Sequence, residues 1–266
     1  MAQTNVPVTN NAVNSITRQS KTEPFDLQVA RGQIMGHSVV SLFGYQSSVT
    51  TTSIPIWENA STYTYITSAS TLTLVSTSAS DDTSAKIFIS GLDSSFNPIS
   101  ETLALNGTAG VTTVNSYFRV NSLLMTSPGT GQTTNVGTIT LKQSSNVVAQ
   151  INVGISKSQS TIYTVPAGYT FYLDLAEVNT SNSYTGSTII TYKVQAINNV
   201  TGVKLTVLQQ PFVSIYTASR ASDPFAYSEK TDIQWQLITS TGTIAAGVIV
   251  TGKLIANNNN VNPAFP

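Results

Sequence analysis

Only one side chain among the 266 residues titrates near neutrality without help: His37, in Met35-Gly36-His37-Ser38. A Ser-His-Asp triad needs it, but the chain has no Gly-x-Ser-x-Gly elbow, so His37 reads as a structural or interfacial histidine. Paired carboxylates are the other route to hydrolysis, and a glycosidase pair needs two of them about 5–10 Å apart. The candidates are Asp81 with Asp82, Asp93 with Glu101, and Asp174 with Glu177. The first two are adjacent, so their side chains diverge in an extended loop. Asp174 and Glu177 differ in parity and are expected on opposite faces of one strand. Glu101 shares parity with Ile99 and Leu103, which makes it a strand-end residue near solvent or a buried acid with a partner. No catalytic residue is assigned.

Binding chemistry is equally sparse. The chain has no cysteine, which removes disulfides, thiol catalysis and zinc fingers. Asp81-Asp82 lacks the Asp-x-Asp-x-Asp-Gly spacing of a calcium loop, and neither a Walker A sequence nor Gly-x-Gly-x-x-Gly occurs. No metal site and no cofactor are expected. Tyr63, Tyr65, Tyr163, Tyr169, Tyr172 and Trp57 are candidates for a glycan platform, whereas Trp235 shares parity with Ile233 and Leu237 and reads as core. The Asn-x-Ser/Thr sequons at Asn59, Asn106, Asn179 and Asn199 are what composition gives by chance.

Composition narrows the class further. Charged residues make up 9% of the chain and balance to a net charge of +0, while Ser and Thr together number 73. An average soluble domain carries about 25% charged residues. A nucleic-acid partner is not expected, because counterion release needs a basic stripe. A membrane span is not expected either, since no apolar run approaches about 18 residues. With 40% hydrophobic residues the chain carries enough apolar surface to fold.

The elements that would position any site are strands. Period-two alternation places Phe171, Leu173 and Leu175 on one face, Ile190, Tyr192, Val194 and Ala196 on another, and Ile233, Trp235 and Leu237 on a third. Turn chemistry separates such runs, at Asn97-Pro98, Asn106-Gly107, Pro166-Ala167-Gly168 and Asp223-Pro224. The expected fold is all-β: two tandem antiparallel β-sandwich, jelly-roll-like domains behind an extended N-terminal arm. The expected boundaries are 1–61 for the arm and joining segment, 62–146 for the first sandwich, 147–256 for the second, and 257–266 for a polar tail. Within 31–61 no long periodic run is visible.

Two segments carry a family resemblance. Phe25-Asp26-Leu27-Gln28-Val29-Ala30-Arg31-Gly32, continuing through Gly36-His37-Ser38 to Phe43-Gly44, reads as extended strand, "ARG", then "GHS…FG". Ser76 to Thr108 contains a "GLD…N…SETLALNGT" hairpin. Both resemble virion structural proteins of tailed bacteriophages of the cyanophage and marine-phage type. With Val165 to Gly168 and Glu229 to Ile233, the likeness covers most of residues 25–255.

The resemblance implies two β-sandwiches behind an anchoring segment, no enzymatic activity, and a place on the virion, assembled in the host cytoplasm. Its implied partners are other virion proteins (the major capsid protein or tail proteins) and further copies of this chain as a homo-oligomer. A host surface glycan is the alternative ligand, and, as composition indicates, no nucleic-acid or membrane partner is expected. Phe25, Leu27, Val29, Arg31, His37 and Phe43 are the expected assembly contacts. The expected role is capsid decoration or cement, with a tail or tail-fibre-attachment protein as the alternative. An all-β hydrolase is disfavoured because the carboxylates do not converge.

Overall fold

A computed structural model describes residues 23–181, 188–213 and 216–257, the side chains of 216–224 excepted. The expected arm up to residue 22 and the tail beyond 257 lie outside these residues. Among the described residues the chain forms one short helix and sixteen strands, and the fold is all-β.

Every sheet among the described residues is antiparallel. One has the order β1 (His37–Val49), β16 (Ile244–Ala256), β11 (Tyr169–Thr180), β14 (Tyr216–Tyr227). A second runs β10 (Ile162–Thr164), β15 (Thr231–Thr239), β12 (Ile190–Asn198), β13 (Lys204–Phe212), with β2 (Ile54–Pro55) paired to β15. The inward residues of these two sheets, among them Phe171, Tyr192, Val194, Trp235, Val248 and Val250, form one hydrophobic core. The remaining sheets are β6 (Val111–Thr112), β3 (Thr73–Ser76), β8 (Ile139–Gln143), β9 (Asn146–Ile151), and β5 (Pro98–Ala104), β4 (Lys86–Leu92), β7 (Arg119–Ser127). Leu74, Ile87, Ile89, Leu123, Ile139 and Leu141 build the second core between them.

Two sequence expectations are corrected. Phe25–Ala30 is a helix, α1, not an extended strand. Pro24 stands at its start and its carbonyl accepts from Leu27 N (3.0 Å) and Gln28 N (3.1 Å), while Asp26 lies in the favourable first turn. Gly32, at φ +69°, ends it in the left-handed conformation that costs glycine nothing. Six residues with apolar side chains at alternate positions fit either period, and the flanking Pro and Gly decide for the helix.

The second correction concerns the joining segment. His37–Val49 is a strand, paired with β16 from His37↔Ile255 to Val49↔Ile244. Its inward positions are Val40, Leu42, Gly44 and Gln46, only half of them apolar, so the alternation is invisible to hydropathy. Gly44 is required there, because a Cβ would lie 2.7 Å from Thr161 Cγ2 and 2.5 Å from the Ile56 carbonyl oxygen. Buried Gln46 donates to the carbonyls of Trp57 (3.1 Å) and Asn59 (3.0 Å). β1 and β2 therefore belong to the same sheets as the last third of the chain. The strands of the other core are inserted between β2 and β10.

The two cores meet at a buried ion pair. Arg119, opening β7, binds Asp232 of β15 through Nε to Oδ1 and Nη2 to Oδ2, both 2.8 Å. Arg119 also donates to the carbonyls of Ile66 (2.9 Å) and Phe118 (2.8 Å) and stacks between Phe118 (4.1 Å) and Tyr65 (4.7 Å). Asp232 additionally accepts from Thr164 Oγ1 (2.6 Å) and Asn199 Nδ2 (2.9 Å).

Candidate assembly surface

Helix α1, its C-cap Arg31 and strand β1 carry the six expected contact residues, in different roles. Val29 is buried and anchors α1 to the body. Phe25 and Leu27 are about half exposed, at 51% and 47%. The Phe25 ring stands edge-on to the His37 imidazole, centroids 6.0 Å apart at 88°. His37 Nδ1 lies 3.0 Å from the Met35 carbonyl, which assigns the proton to that nitrogen. Arg31 is exposed and spends its charge on Glu23. Phe43 is exposed further along β1, about 20 Å from His37 at the strand rise, so Phe25 and Phe43 mark two ends of one surface rather than one point.

Lys253 fixes α1 to the sheet. Its Nζ bonds Asp26 of α1 at 3.0 Å and Asp174 of β11 at 2.5 Å. Desolvation pulls the ammonium downward, but the hydrogen bonds and charges of Asp174 and Asp26 outweigh it and hold the group above its ordinary value. The β-bulge between Leu173 and Leu175 is what makes Asp174 available. It also corrects the parity reading of β11. Leu173 and Ala176 both face the core across the bulge, so Leu175 falls out of phase, and Asp174 and Glu177 are not on opposite faces.

Sequence reasoning missed the outward row of β1. Val39, Phe43 and Tyr45 alternate on its outer face and are exposed, as is Met35 just before it. Among the described residues β1 pairs with β16 alone, so its other edge offers free backbone donors and acceptors. Natural edges are protected by charges, prolines or bulges. The edge strand β13 carries such protection in its exposed Lys204 and Pro211. β1, HSVVSLFGYQSSV, has no charge and no proline, and its one irregularity lies beyond Gln46. Beside Ser41 to Phe43 it borders a cleft of about 310 Å³, closed on the far side by Ile155, Lys157 and Gln159.

The candidate chemical groups are dispersed. Asp81 is fully buried and accepts from Ser76 Oγ (2.5 Å), Val136 N (2.9 Å) and Gly137 N (2.9 Å), whereas Asp82 is turned outward onto Ser84 N (2.9 Å). Asp93 closes its own turn, accepting from Ser95 N (2.8 Å) and Asn97 N (2.9 Å). Glu101 is the partnered alternative, half-buried in β5 and receiving Val114 N (2.9 Å) and Asn115 N (3.0 Å). Trp57, Tyr63 and Tyr65 do come together, edge to face at 5.1 and 5.0 Å, but Trp57 and Tyr63 are buried, so no open aromatic platform results. Trp235 is in the core, as its parity indicates. Glu58, which no sequence motif marks, is buried; its Oε2 accepts from Asn152 N (3.0 Å), and Oε1 has no partner. Burial pushes its carboxyl up to about 7, against the lowering effect of backbone bonds.

No family model and no curated protein matches the chain. It is similar, at 11% identity and a TM-score of 0.23, to infectious bursal disease virus VP2 in a subviral particle, over 85% of this chain and 74% of that one. The virus's Gx strain structure gives 10% identity and a TM-score of 0.24 over 90% and 78%. Particles derived from the same virus give 12% and 0.21 over 84% and 71%.

Proposed function

We propose that this protein is a non-enzymatic structural component on the exterior of a tailed-phage virion, and that α1 and β1 form its contact with neighbouring subunits. The observation that carries the reading is the long, charge-free, proline-free edge of β1 with its exposed row of Val39, Phe43 and Tyr45. Such an edge is a liability in a free monomer and a docking strand in a lattice. The net charge of +0 leaves little repulsion between copies. The resemblance of residues 25–44 and 76–108 to phage virion proteins points the same way.

Within this reading the two cores correspond to two β-sandwiches, the first inserted into the second rather than following it. Capsid decoration is the role we favour, with the major capsid protein and further copies of this chain as partners. The test is binding of the purified protein to empty phage shells. The full chain is expected to bind in multiples set by shell symmetry, and a chain lacking residues 1–30, which removes α1, is expected not to bind. Normal shell binding by the truncated chain overturns the anchor; binding to purified tails alone moves the protein to the tail.

A further inference from the structure

The outward positions of β15 and β12 next to the junction of the two cores are amides. Gln195 lies opposite Gln234 in register, and Gln236 follows on the same face. Buried Gln236 donates through Nε2 to Gln195 Oε1 (2.9 Å) and to Gln234 Oε1 (2.8 Å), and its own Oε1 accepts from Ser53 Oγ (2.9 Å). A primary amide has two N–H donors, so Gln236 spends both on its neighbours' oxygens. Gln195 and Gln234 are thereby held by their oxygens, with their amino ends turned away from Gln236. Side chains fixed in this way have already lost the rotamer freedom that binding would otherwise cost.

This ladder borders a cleft of about 220 Å³ whose lining includes buried Tyr63 and half-buried Tyr65. Drug-sized pockets run from about 300 to 1,000 Å³, so the cleft suits a single small ring. Asp232 also lines it, but its charge is held by Arg119, and Lys204 stands exposed at the mouth. What remains is a set of oriented neutral donors and acceptors at the edge of Tyr65, the complement of a small ring with hydroxyls on its rim.

We infer that this cleft binds a single pyranose ring, free or as the end of a glycan. The Gln195 and Gln234 amino groups donate to sugar oxygens, the Ser53 hydroxyl accepts, and the half-buried Tyr65 borders the ring. The site is separate from α1 and β1, so it goes beyond the assembly reading and does not depend on it.

Ligand-observed NMR on the full chain tests it, with the methyl pyranosides of glucose, galactose, mannose and N-acetylglucosamine at millimolar concentration. At least one is expected to bind. Gln195→Ala with Gln234→Ala is expected to weaken that binding about tenfold, the equivalent of two hydrogen bonds of modest strength. Thr62→Trp, at an exposed rim position, blocks the mouth without touching the ladder and is expected to abolish binding. Phe43→Ser, remote from the cleft, is expected to bind as wild type. Absence of binding by all four pyranosides, or equal binding by the blocked or amide variants, overturns the inference. Shell binding is read separately, so failure here leaves the assembly proposal standing, and the reverse.

Discussion

Arg119→Met tests how the two cores are joined. The wild-type guanidinium is almost fully buried, at 5% exposure, against an Asp232 side chain at 2%. Methionine fills much of the volume but removes the bidentate contact to Asp232 and both bonds to the Ile66 and Phe118 carbonyls. It leaves a buried carboxylate with only Thr164 and Asn199 as donors. Breaking one side of a buried pair costs about 3–5 kcal/mol, because the remaining charge is uncompensated. At about 2–4 °C per kcal/mol for a chain of this size, the melting temperature falls by roughly 6–20 °C. Urea unfolding of the single variants and of Arg119→Met/Asp232→Leu closes a double-mutant cycle. The double variant is expected to cost at least about 2 kcal/mol less than the sum of the singles, since removing Asp232 removes the stranded charge. It does not recover fully, because two carbonyls stay unpaired. A loss below about 1 kcal/mol for Arg119→Met, or additivity within about 0.5 kcal/mol, refutes this account of the junction.

Other consequences are open to similar measurements. Glu58 is protonated more readily in the fold, near 7, than at its ordinary 4.5. The stability it contributes is therefore fully present below pH 4.5 and lost as pH rises through about 7, by about 2–3 kcal/mol in all. Chemical denaturation across that window is expected to show the decline, and Glu58→Gln to remove it; an unchanged slope in the variant contradicts the assignment. Gly44→Ala pushes a methyl group against Thr161 and the Ile56 carbonyl, and calorimetry is expected to show a loss of about 1–3 kcal/mol from overpacking. Phe43→Lys places a charge in the middle of the β1 edge; analytical ultracentrifugation is expected to show less self-association at equal stability.

Strands whose inward residues are all apolar are legible from the amino-acid pattern. Ile190, Tyr192, Val194 and Ala196 of β12, and Ile233, Trp235 and Leu237 of β15, alternate in the sequence and line one core. β1 is not legible in this way, because its inward face includes Gly44 and Gln46, chosen by a close backbone approach and by two carbonyls across the fold. α1 reads as a strand because Phe25, Leu27 and Val29 alternate over too few residues to separate two periods. The phase of β11 is lost at Asp174, since a bulge has no signature in hydropathy. Among the site residues, Phe25, His37 and Phe43 follow from the resemblance, whereas Val39 and Tyr45 need the strand assignment. Arg119 and Asp232 lie 113 positions apart and nothing local marks them as partners.

The central claim is that β1 and α1 are the surface by which this protein joins a particle. Hydrogen–deuterium exchange at the amides of residues 25–45, measured on the free protein and on protein bound to empty phage shells, tests it most directly. The account predicts that the free edge of β1 exchanges readily in solution and becomes protected on the shell, together with α1. Bound protein whose β1 and α1 amides exchange as fast as in the free state, with protection appearing elsewhere, contradicts it.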